Sequence, residues 1–399
     1  MTTPIWITGF EHGILSANGG GIVNTISGTA PTVIAGAART GGYGLRHTVT
    51  AATGYVSKTI SGTPNVMVTR LYIKFITLPA ATVNIITHIG PTVTHALRFN
   101  FATTKFMILH TSTVDVGPVL TTGVWYRVDF VSDNSAASDV TKCQIDGGTE
   151  QTVTVAADAT RTFTSMRIGF QVSSTAEMYV DDICVSATLA DYPIGSGEVQ
   201  KLAITGDGTH SPATPDCIRG GGASPALISG SNFAFQYMDE VPFPSGTSPT
   251  TDRINQDITA GHTTHYVEIT TSGAPSGTIN GVSGVLAYGG DSATANSGST
   301  VVNNSEASET IIYGSSATPA DMSEITVFYK SEIITKPSGG WSAAELNALK
   351  LRIGYSGDIT PNPYWQAFLY EVDLAPGAGS AFLPKKININ QAVNRASTY

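Results

Sequence analysis

Apolar and polar side chains alternate one by one along several segments in the first half of the chain. In the clearest segment, Leu71, Ile73 and Phe75 alternate with Arg70 and Lys74. The same pattern recurs at 97–101, 126–130 and 166–170. Because successive side chains of a strand point to opposite faces of its sheet, this period of two predicts half-buried strands. Turn-rich stretches such as SDNSAASD and DGGTE separate them.

Strand-like runs resume in the second half, at THYVEIT, GVSGVLAYG, ETIIYG, EITVFYK and WQAFLYEVDL. One helix is predicted among them, over 342–351 in the stretch WSAAELNALKLRIG. Ser342 can cap its first turn, and Glu345 three residues later can complete a capping box. The chain therefore predicts an all-β fold of antiparallel strands with one short helix.

A loss of large apolar residues around ADYPIGSGE and TGDGTHSPATPD divides the chain. We predict a β-sandwich or jelly-roll domain over 1–195 and a connector over 196–215. A second β-rich sandwich, which holds the helix, is predicted over 216–375.

The last stretch, 376–399, has too few large apolar residues to fold alone. We interpret it as an extended arm that docks on the second domain or on a neighbouring subunit. Its candidate assembly residues are Phe382, Leu383, Lys385, Lys386 and Tyr399.

Composition supports the β assignment. Charged residues make up 13% of the chain, against roughly a quarter in typical globular proteins. A Thr-rich and Gly-rich sequence with little charge is typical of antiparallel sandwiches, since β-branched residues suit the pleat and Gly supplies turns. The net charge of −9 argues against a nucleic-acid partner or an anionic membrane, because both require clustered Lys and Arg.

The start, MTTPIWITGFEHG, lacks a basic segment followed by a long apolar one, and no run of about 18 apolar residues occurs. We therefore expect neither conventional export nor membrane insertion. Cys143, Cys184 and Cys217 are odd in number and have no CxxC spacing, which predicts neither a disulfide framework nor a zinc site.

Five stretches follow one another in the first domain: GFEHG near the start, GVWYRVDF at 123–130, KCQIDGG at 142–148, MRIGF at 166–170 and MYVDDICV at 178–185. In this order they resemble the laminin-G or concanavalin-like jelly-roll superfamily, over about residues 1 to 190. The resemblance implies that the closing strand pairs beside the N-terminal strand. Asp181 or Asp182 would then lie near Glu11.

The second domain resembles a module of phage structural proteins, in which a DEVP stretch precedes a β-domain and a late helix, here WSAAELNAL. Together the two resemblances suggest a virion protein of a tailed bacteriophage, made in the host cytoplasm without a signal peptide and exposed on the virion surface. The implied partners are other virion subunits, further copies of the chain in a homo-oligomer such as a trimer, and a host surface glycan.

Asp181 and Asp182 stand side by side in the apolar run EMYVDDICV, where two charges are costly unless they are partnered or solvated. On a regular strand they point to opposite faces, which argues against a joint catalytic role. Together with Asp146 they offer hard oxygen ligands of the kind that calcium takes. We therefore expect either no cofactor or a calcium ion on these three carboxylates, with turn-capping aspartates as the alternative interpretation.

Exposed aromatic rings that stack on sugars would mark a carbohydrate site. Trp6, Tyr43 and Tyr55 are candidates by location, with ordinary packing as the alternative for each. Trp125 is expected in the core, because in the jelly-roll family the strand that carries this Trp fills the sandwich.

The sequence lacks the motifs of zinc proteases, serine hydrolases and nucleotide-binding folds. His262 and His265 precede a predicted strand and would face opposite ways there. The leading hypothesis is a non-enzymatic virion structural protein, as a capsid decoration, vertex or tail component. The alternative is a tail-fibre or tail-tip lectin that attaches to host glycans. A glycan depolymerase is a weaker alternative, since it would need two close carboxylates in a cleft.

Overall fold

The computed structural model describes residues 1–17, 22–91, 94–156 and 161–202 without interruption. In the rest of the chain it describes 204–207, 217–219, 226–227, 241, 243, 254–256, 267–290, 299–305, 308–313, 328–334, 336–337, 339–355 and 363–375. The proposed arm with Phe382, Leu383, Lys385, Lys386 and Tyr399 lies outside the described residues, as do His262 and His265.

The described chain is nearly all β, and its strands pair antiparallel, which confirms the predicted fold class. Its first thirteen strands are β1 (Trp6–Thr8), β2 (Thr25–Gly28), β3 (Thr32–Ile34), β4 (Gly44–Thr59), β5 (Val66–Thr77), β6 (Val83–Ile89), β7 (Thr94–Asn100), β8 (Lys105–Leu109), β9 (Thr113–Val116), β10 (Trp125–Asp133), β11 (Ser138–Ile145), β12 (Gln151–Ala156) and β13 (Ser165–Ser186).

These strands form two layers that share β4 and β13. Residues 165–170 of β13 lie between β4 and β6, whereas residues 177–180 lie between β4 and β5 and residues 183–185 lie between β1 and β5. The strand order is therefore β3-β4-β13-β5-β10-β11-β12 in one layer, here called the front layer. It is β2-β4-β13-β6-β7-β8-β9 in the other layer, here called the back layer. Register shifts between Phe170 and Ala176 mark the place where β13 bends from one layer to the other.

The core between the layers follows the predicted alternation. Leu71, Ile73 and Phe75 are completely buried, whereas the neighbouring Lys74 is only half-buried on the other face of β5. Phe101 departs from the prediction, because β7 ends at Asn100 and the Phe101 side chain is 56% exposed in the following turn.

The described residues of the second half form one helix, α1 (Ala343–Asn347), and twelve further strands. The strands are β14 (Glu198–Leu202), β15 (Ile204–Asp207), β16 (Cys217–Arg219), β17 (Ala226–Leu227), β18 (Ile254–Gln256), β19 (Val267–Thr271), β20 (Thr278–Gly290), β21 (Ser299–Ser305), β22 (Ser308–Tyr313), β23 (Phe328–Ile333), β24 (Lys350–Tyr355) and β25 (Pro363–Ala375). One sheet has the order β17-β16-β18-β25-β20-β23 with β14 also on β25, and the other has the order β15-β19-β24-β21-β22.

Two sequence expectations change here. Residues 198–202, predicted as part of a connector, form a strand on β25, because Val199 and Leu202 are buried. The helix begins as predicted, with the Ser342 hydroxyl accepting from Glu345 N at 3.2 Å, but it ends at Asn347 because strand β24 starts at Lys350.

The sheet that contains β14, β20 and β25 contacts the outer face of the front layer at one end. There Ile7, Cys184 and Val199 form a small buried apolar cluster. Arg70 and Asp373, both completely buried, form an ion pair across the contact. The opposite end of the outer face of the front layer is left uncovered by these strands. Among the described residues, no helix has the length and apolar character needed to cross a membrane.

Candidate functional site

A row of side chains crosses the uncovered part of the front layer. Arg46 of β4, Tyr179 of β13, Lys74 of β5 and Trp125 of β10 are directly opposite one another in register, and Thr32 of β3 extends the row. Opposed residues of antiparallel neighbours share a face, so these five side chains form one continuous strip. With strands about 4.8 Å apart, the strip is about 19 Å long. We call it the transverse row.

The middle of the transverse row combines one cation with two aromatic rings. Lys74 Nζ lies 4.8 Å from the centroid of the Trp125 ring and 5.0 Å from that of the Tyr179 ring. Both distances are within the range of cation–π attraction. Partial burial lowers the pKa of Lys74, and no carboxylate of the described residues forms an ion pair with it. All three side chains are half-buried, so a ligand can reach them.

The other end of the transverse row opens into a groove of about 430 Å³. Arg46 forms its charged wall, and Arg46 Nε donates to Glu177 Oε1 at 2.9 Å. The remaining lining is Thr29, Ala30, Thr32, Thr48 and Thr50. The groove has the volume of small-ligand sites in proteins, and four of its six lining residues are threonines.

Asp181 and Asp182 lie at the covered end of the same face. The register shifts by one residue between Asp181 and Cys184, and Asp182 has a φ of 53°. This β-bulge breaks the alternation of faces. Both carboxylates therefore contact one segment: Asp181 Oδ2 accepts from Arg39 N at 2.6 Å, and Asp182 Oδ2 accepts from Arg39 Nε at 2.6 Å. The prediction that they point to opposite faces is wrong because of the bulge.

The expected proximity to Glu11 is observed. β1 pairs with the end of β13, and the charge of Asp182 is among the causes that raise the pKa of Glu11 to about 7, after burial as the largest cause. Burial is also the main reason why the pKa of Asp181 is raised, with the charge of Asp182 adding to it. This cluster fixes the junction with the second sheet, since Val199 N donates to Asp182 Oδ1 at 2.6 Å.

The three proposed calcium ligands do not meet. Asp146 lies in the turn after β11, where its Oδ1 accepts from Arg127 N at 2.7 Å. Strands β10 and β5 separate β11 from β13, so Asp146 is about 14 Å from Asp181 across the sheet. Within the described residues, no three His, Cys, Asp or Glu side chains form a group that could hold a metal ion.

The proposed sugar-binding aromatic residues differ in their exposure and do not form one site. Trp6 is only 2% exposed and packs in the core, because β1 lies beneath the second sheet. Tyr43 and Tyr55 are half-buried, and the Arg167 guanidinium lies 5.1 Å from the centroid of the Tyr55 ring. Tyr55 pairs with Gly169 in the back layer and is therefore not part of the transverse row.

Trp125 was expected in the core and instead lies on the outer face. Its neighbours explain the placement: Tyr126 and Val128 point inward, so Trp125 and Arg127 point outward. The alternation at 126–130 by itself indicates this outward placement. Tyr179 and Arg46 gave no sequence signal, because only the pairing of β4, β13 and β5 brings them together.

The fold and this face define the molecule as an all-β protein with a two-layer sandwich and an open surface of rings, hydroxyls and cations. No family model and no curated protein matches the chain.

Solved structures resemble parts of it. A chain named sialidase has 13% identity and a TM-score of 0.30, over 37% of this chain and 16% of that one. A Trypanosoma rangeli sialidase in complex with 2,3-difluoro-KDN has 12% identity and a TM-score of 0.29, over 36% of this chain and 25% of that one. Domain 4 of AbnA, a GH43 extracellular arabinanase from Geobacillus stearothermophilus, in complex with arabinotriose, has 14% identity and a TM-score of 0.33, over 46% of this chain and 91% of that domain.

The chain thus spans less than a third of the two sialidases. The matched proteins carry the names of carbohydrate-active enzymes. This finding corrects the expectation that the chain is not an enzyme, because the solved chains that it partly resembles are named as glycoside hydrolases or their domains.

Proposed function

We propose that the protein binds carbohydrate on the uncovered part of the front layer. The observation that carries the proposal is the transverse row, in which Trp125 and Tyr179 flank Lys74 beside a groove rich in hydroxyl groups. Sugar rings present apolar faces that stack on aromatic side chains, while their hydroxyls need donors and acceptors nearby. The transverse row offers the aromatic rings, and the groove offers the hydrogen-bonding hydroxyls.

The geometry suits an extended ligand. The row runs across five neighbouring strands of a rigid sheet, so its side chains are held by backbone pairing rather than by a mobile loop. An oligosaccharide lying across the strands would contact Trp125 at one end and reach Arg46 and the groove at the other.

The charges favour a saccharide with an acidic group. Arg46 is already paired with Glu177, whereas Lys74 lies between the Trp125 and Tyr179 rings and forms no ion pair with a carboxylate of the described residues. A carboxylate or sulfate on the ligand would place a negative charge beside a partly desolvated cation, where the attraction is stronger than in bulk water.

The phage assignment is a proposal from the sequence resemblance alone. Under it, this face would serve attachment of a virion to a host surface glycan. Specific labelling of intact particles by an antibody against the chain would support this placement, and absence of the chain from purified particles would contradict it.

The binding test uses a glycan array with neutral and acidic oligosaccharides, followed by calorimetry on the ligands that bind. We expect Trp125→Ala and Tyr179→Ala each to weaken binding by about 2- to 13-fold, from the roughly 0.5–1.5 kcal/mol typical of an aromatic contact. Tyr55→Ala, on the back layer, is the matched control and should leave the affinity unchanged. Absence of any saccharide ligand, or equal loss in all three variants, would overturn the proposal. The same samples are assayed for new reducing ends, so that hydrolysis is measured directly.

A further inference from the structure

The end of the sandwich opposite the Arg70–Asp373 contact is built from three connections between strands and the bend within β13. They are residues 78–82, 101–104, 117–124 and 171–175. We call this surface the distal end.

Hydrogen bonds donated by backbone N–H groups join the four segments into one surface. The bonds are Ala80 N to Thr175 O at 3.3 Å, Phe101 N to Thr82 Oγ1 at 3.1 Å, Leu120 N to Thr104 O at 2.8 Å and Gly123 N to Phe75 O at 2.7 Å. The last bond ties the third segment to the end of β5. The distal end is therefore an ordered surface rather than a set of independent loops.

Exposed apolar side chains concentrate here. Among the described residues, seven large apolar side chains are exposed, and five of them lie in these segments or on the strand that enters them. The five are Ile76, Phe101, Val119, Val124 and Val172. Phe101 and Val119 are the most open, at 56% and 59%. An apolar patch of this kind on an ordered surface indicates an interaction site.

The distal end also carries no charge. None of the residues in its four segments is Asp, Glu, Lys, Arg or His, in a chain whose net charge is −9. The nearest charges along the same strands are Lys74, Lys105, Asp115 and Glu177.

We propose that the distal end binds the distal end of a second copy of the chain around a two-fold axis. A two-fold axis places each part of a surface against the same surface of the partner, so a charged patch repels itself and an uncharged apolar patch is self-complementary. The four ordered segments need little rearrangement to pair, which keeps the entropy cost of association low.

A lipid surface fits the distal end less well. The segments contain no Trp, Tyr, Lys or Arg, which are the side chains that anchor proteins at the membrane interface. The pairing is also independent of saccharide binding, since none of its exposed side chains belongs to the transverse row.

The test is analytical ultracentrifugation of the full chain, from low micromolar to submillimolar concentration. We expect a monomer–dimer equilibrium for the wild type. The double variant Phe101→Ser/Val119→Ser should raise the dissociation constant at least tenfold. The control is Leu189→Ser, which replaces an exposed apolar side chain of 42% exposure outside the distal end and should dimerise like the wild type. Far-ultraviolet circular dichroism and a thermal melt verify that each variant is folded.

A wild type that stays monomeric throughout, or a Phe101→Ser/Val119→Ser variant that dimerises as well as the wild type, would overturn the proposal. Flotation of a monomeric wild type with phosphatidylcholine vesicles would replace it with a lipid partner.

Discussion

Arg70 of β5 and Asp373 of β25 form an ion pair in which neither side chain has any exposed surface. Arg70 also donates to the carbonyl of Asp182 at 3.2 Å, and Asn280 Nδ2 donates to Asp373 Oδ2 at 3.0 Å. The pair therefore connects the front layer, the bulge of β13 and the second sheet through one buried network.

Replacing Asp373 by Asn should strongly destabilise the protein. The change leaves the Arg70 guanidinium charged and without its buried counter-ion, which typically costs about 3–5 kcal/mol. Glu177→Gln, which breaks the partly exposed pair with Arg46, is the matched control and should cost less than about 1 kcal/mol. Urea unfolding of both variants measures the difference, and equal losses of unfolding free energy would contradict the prediction.

Gly41 should tolerate no side chain. A Cβ at this position would lie 1.9 Å from Glu11 Oε1, and its φ is +63°. Gly62 has a similar φ of +77° with no atom within 4 Å. Gly62→Ala should therefore cost only the left-handed backbone penalty of about 1–2 kcal/mol, whereas Gly41→Ala should cost clearly more. Thermal melts of the two variants compare them directly. Similar melting temperatures would contradict the prediction, because they would show that the Glu11 side chain can move away at little cost.

Buried histidines should make the protein less stable in acid. Burial lowers the pKa of His12 and His95 to about 3 and that of His47 to about 4, and it lowers the pKa of His88 as well. Each of these groups binds its proton more readily in the unfolded chain. Their contribution to stability is thus present above about pH 6.5 and is lost as the pH falls towards the folded values.

Two buried carboxylates should act in the opposite direction. Burial, followed by weaker causes, raises the pKa of Glu11 to about 7 and that of Glu371 to about 8. Their contribution to the stability of the fold is fully present below the carboxyl pKa of the unfolded chain. It falls as the pH rises above that pKa and is lost once the pH has passed 7 to 8. Burial raises the pKa values of Asp181 and Asp146 as well. With four histidines and four carboxylates acting in opposite directions, the free energy of unfolding should not rise further above about pH 6.5.

Unfolding free energies measured between pH 4 and pH 9 test this profile. Glu371→Gln keeps an oxygen for the bonds from Gly9 N and Glu11 N but cannot ionise. We expect this variant to lose part of the decline above pH 7 and to keep the decline in acid. Stability that rises steadily from pH 6.5 to pH 9 in the wild type would contradict the assignment.

The helix cap at Ser342 should contribute modestly to the free energy of unfolding. Its hydroxyl accepts from Glu345 N at 3.2 Å, and removal of such a cap typically costs about 1 kcal/mol. Ser342→Ala should therefore lower the unfolding free energy by about that amount, whereas Ser342→Asp should preserve it, because the carboxylate can accept the same bond. A larger loss in Ser342→Asp than in Ser342→Ala would exclude capping as the role of this residue.

The fold class could be predicted from the sequence because it depends on local pattern. The alternation of Leu71, Ile73 and Phe75 with Arg70 and Lys74 predicts a strand with one apolar face, and the capping signal at Ser342 requires only the next three residues. The burial of Arg70 and Tyr72 on the other face of β5 could not be predicted in this way, because it depends on the second sheet. The lengths of the elements were less predictable. The helix ends at Asn347 because Lys350 joins β24, a partner that is distant in sequence.

The candidate site depended on contacts that no local pattern contains. Arg46, Lys74, Trp125 and Tyr179 are far apart in the chain and meet only through the register of four strands, and a shift of one residue would turn any of them inward. The bulge at Asp182 likewise decided that two adjacent carboxylates share Arg39. The sequence by itself determined which faces of its strands are apolar, since that needs only the order of residues. The tertiary structure alone decided which outward side chains stand next to one another, because strand pairing is set by the packing of the whole sheet.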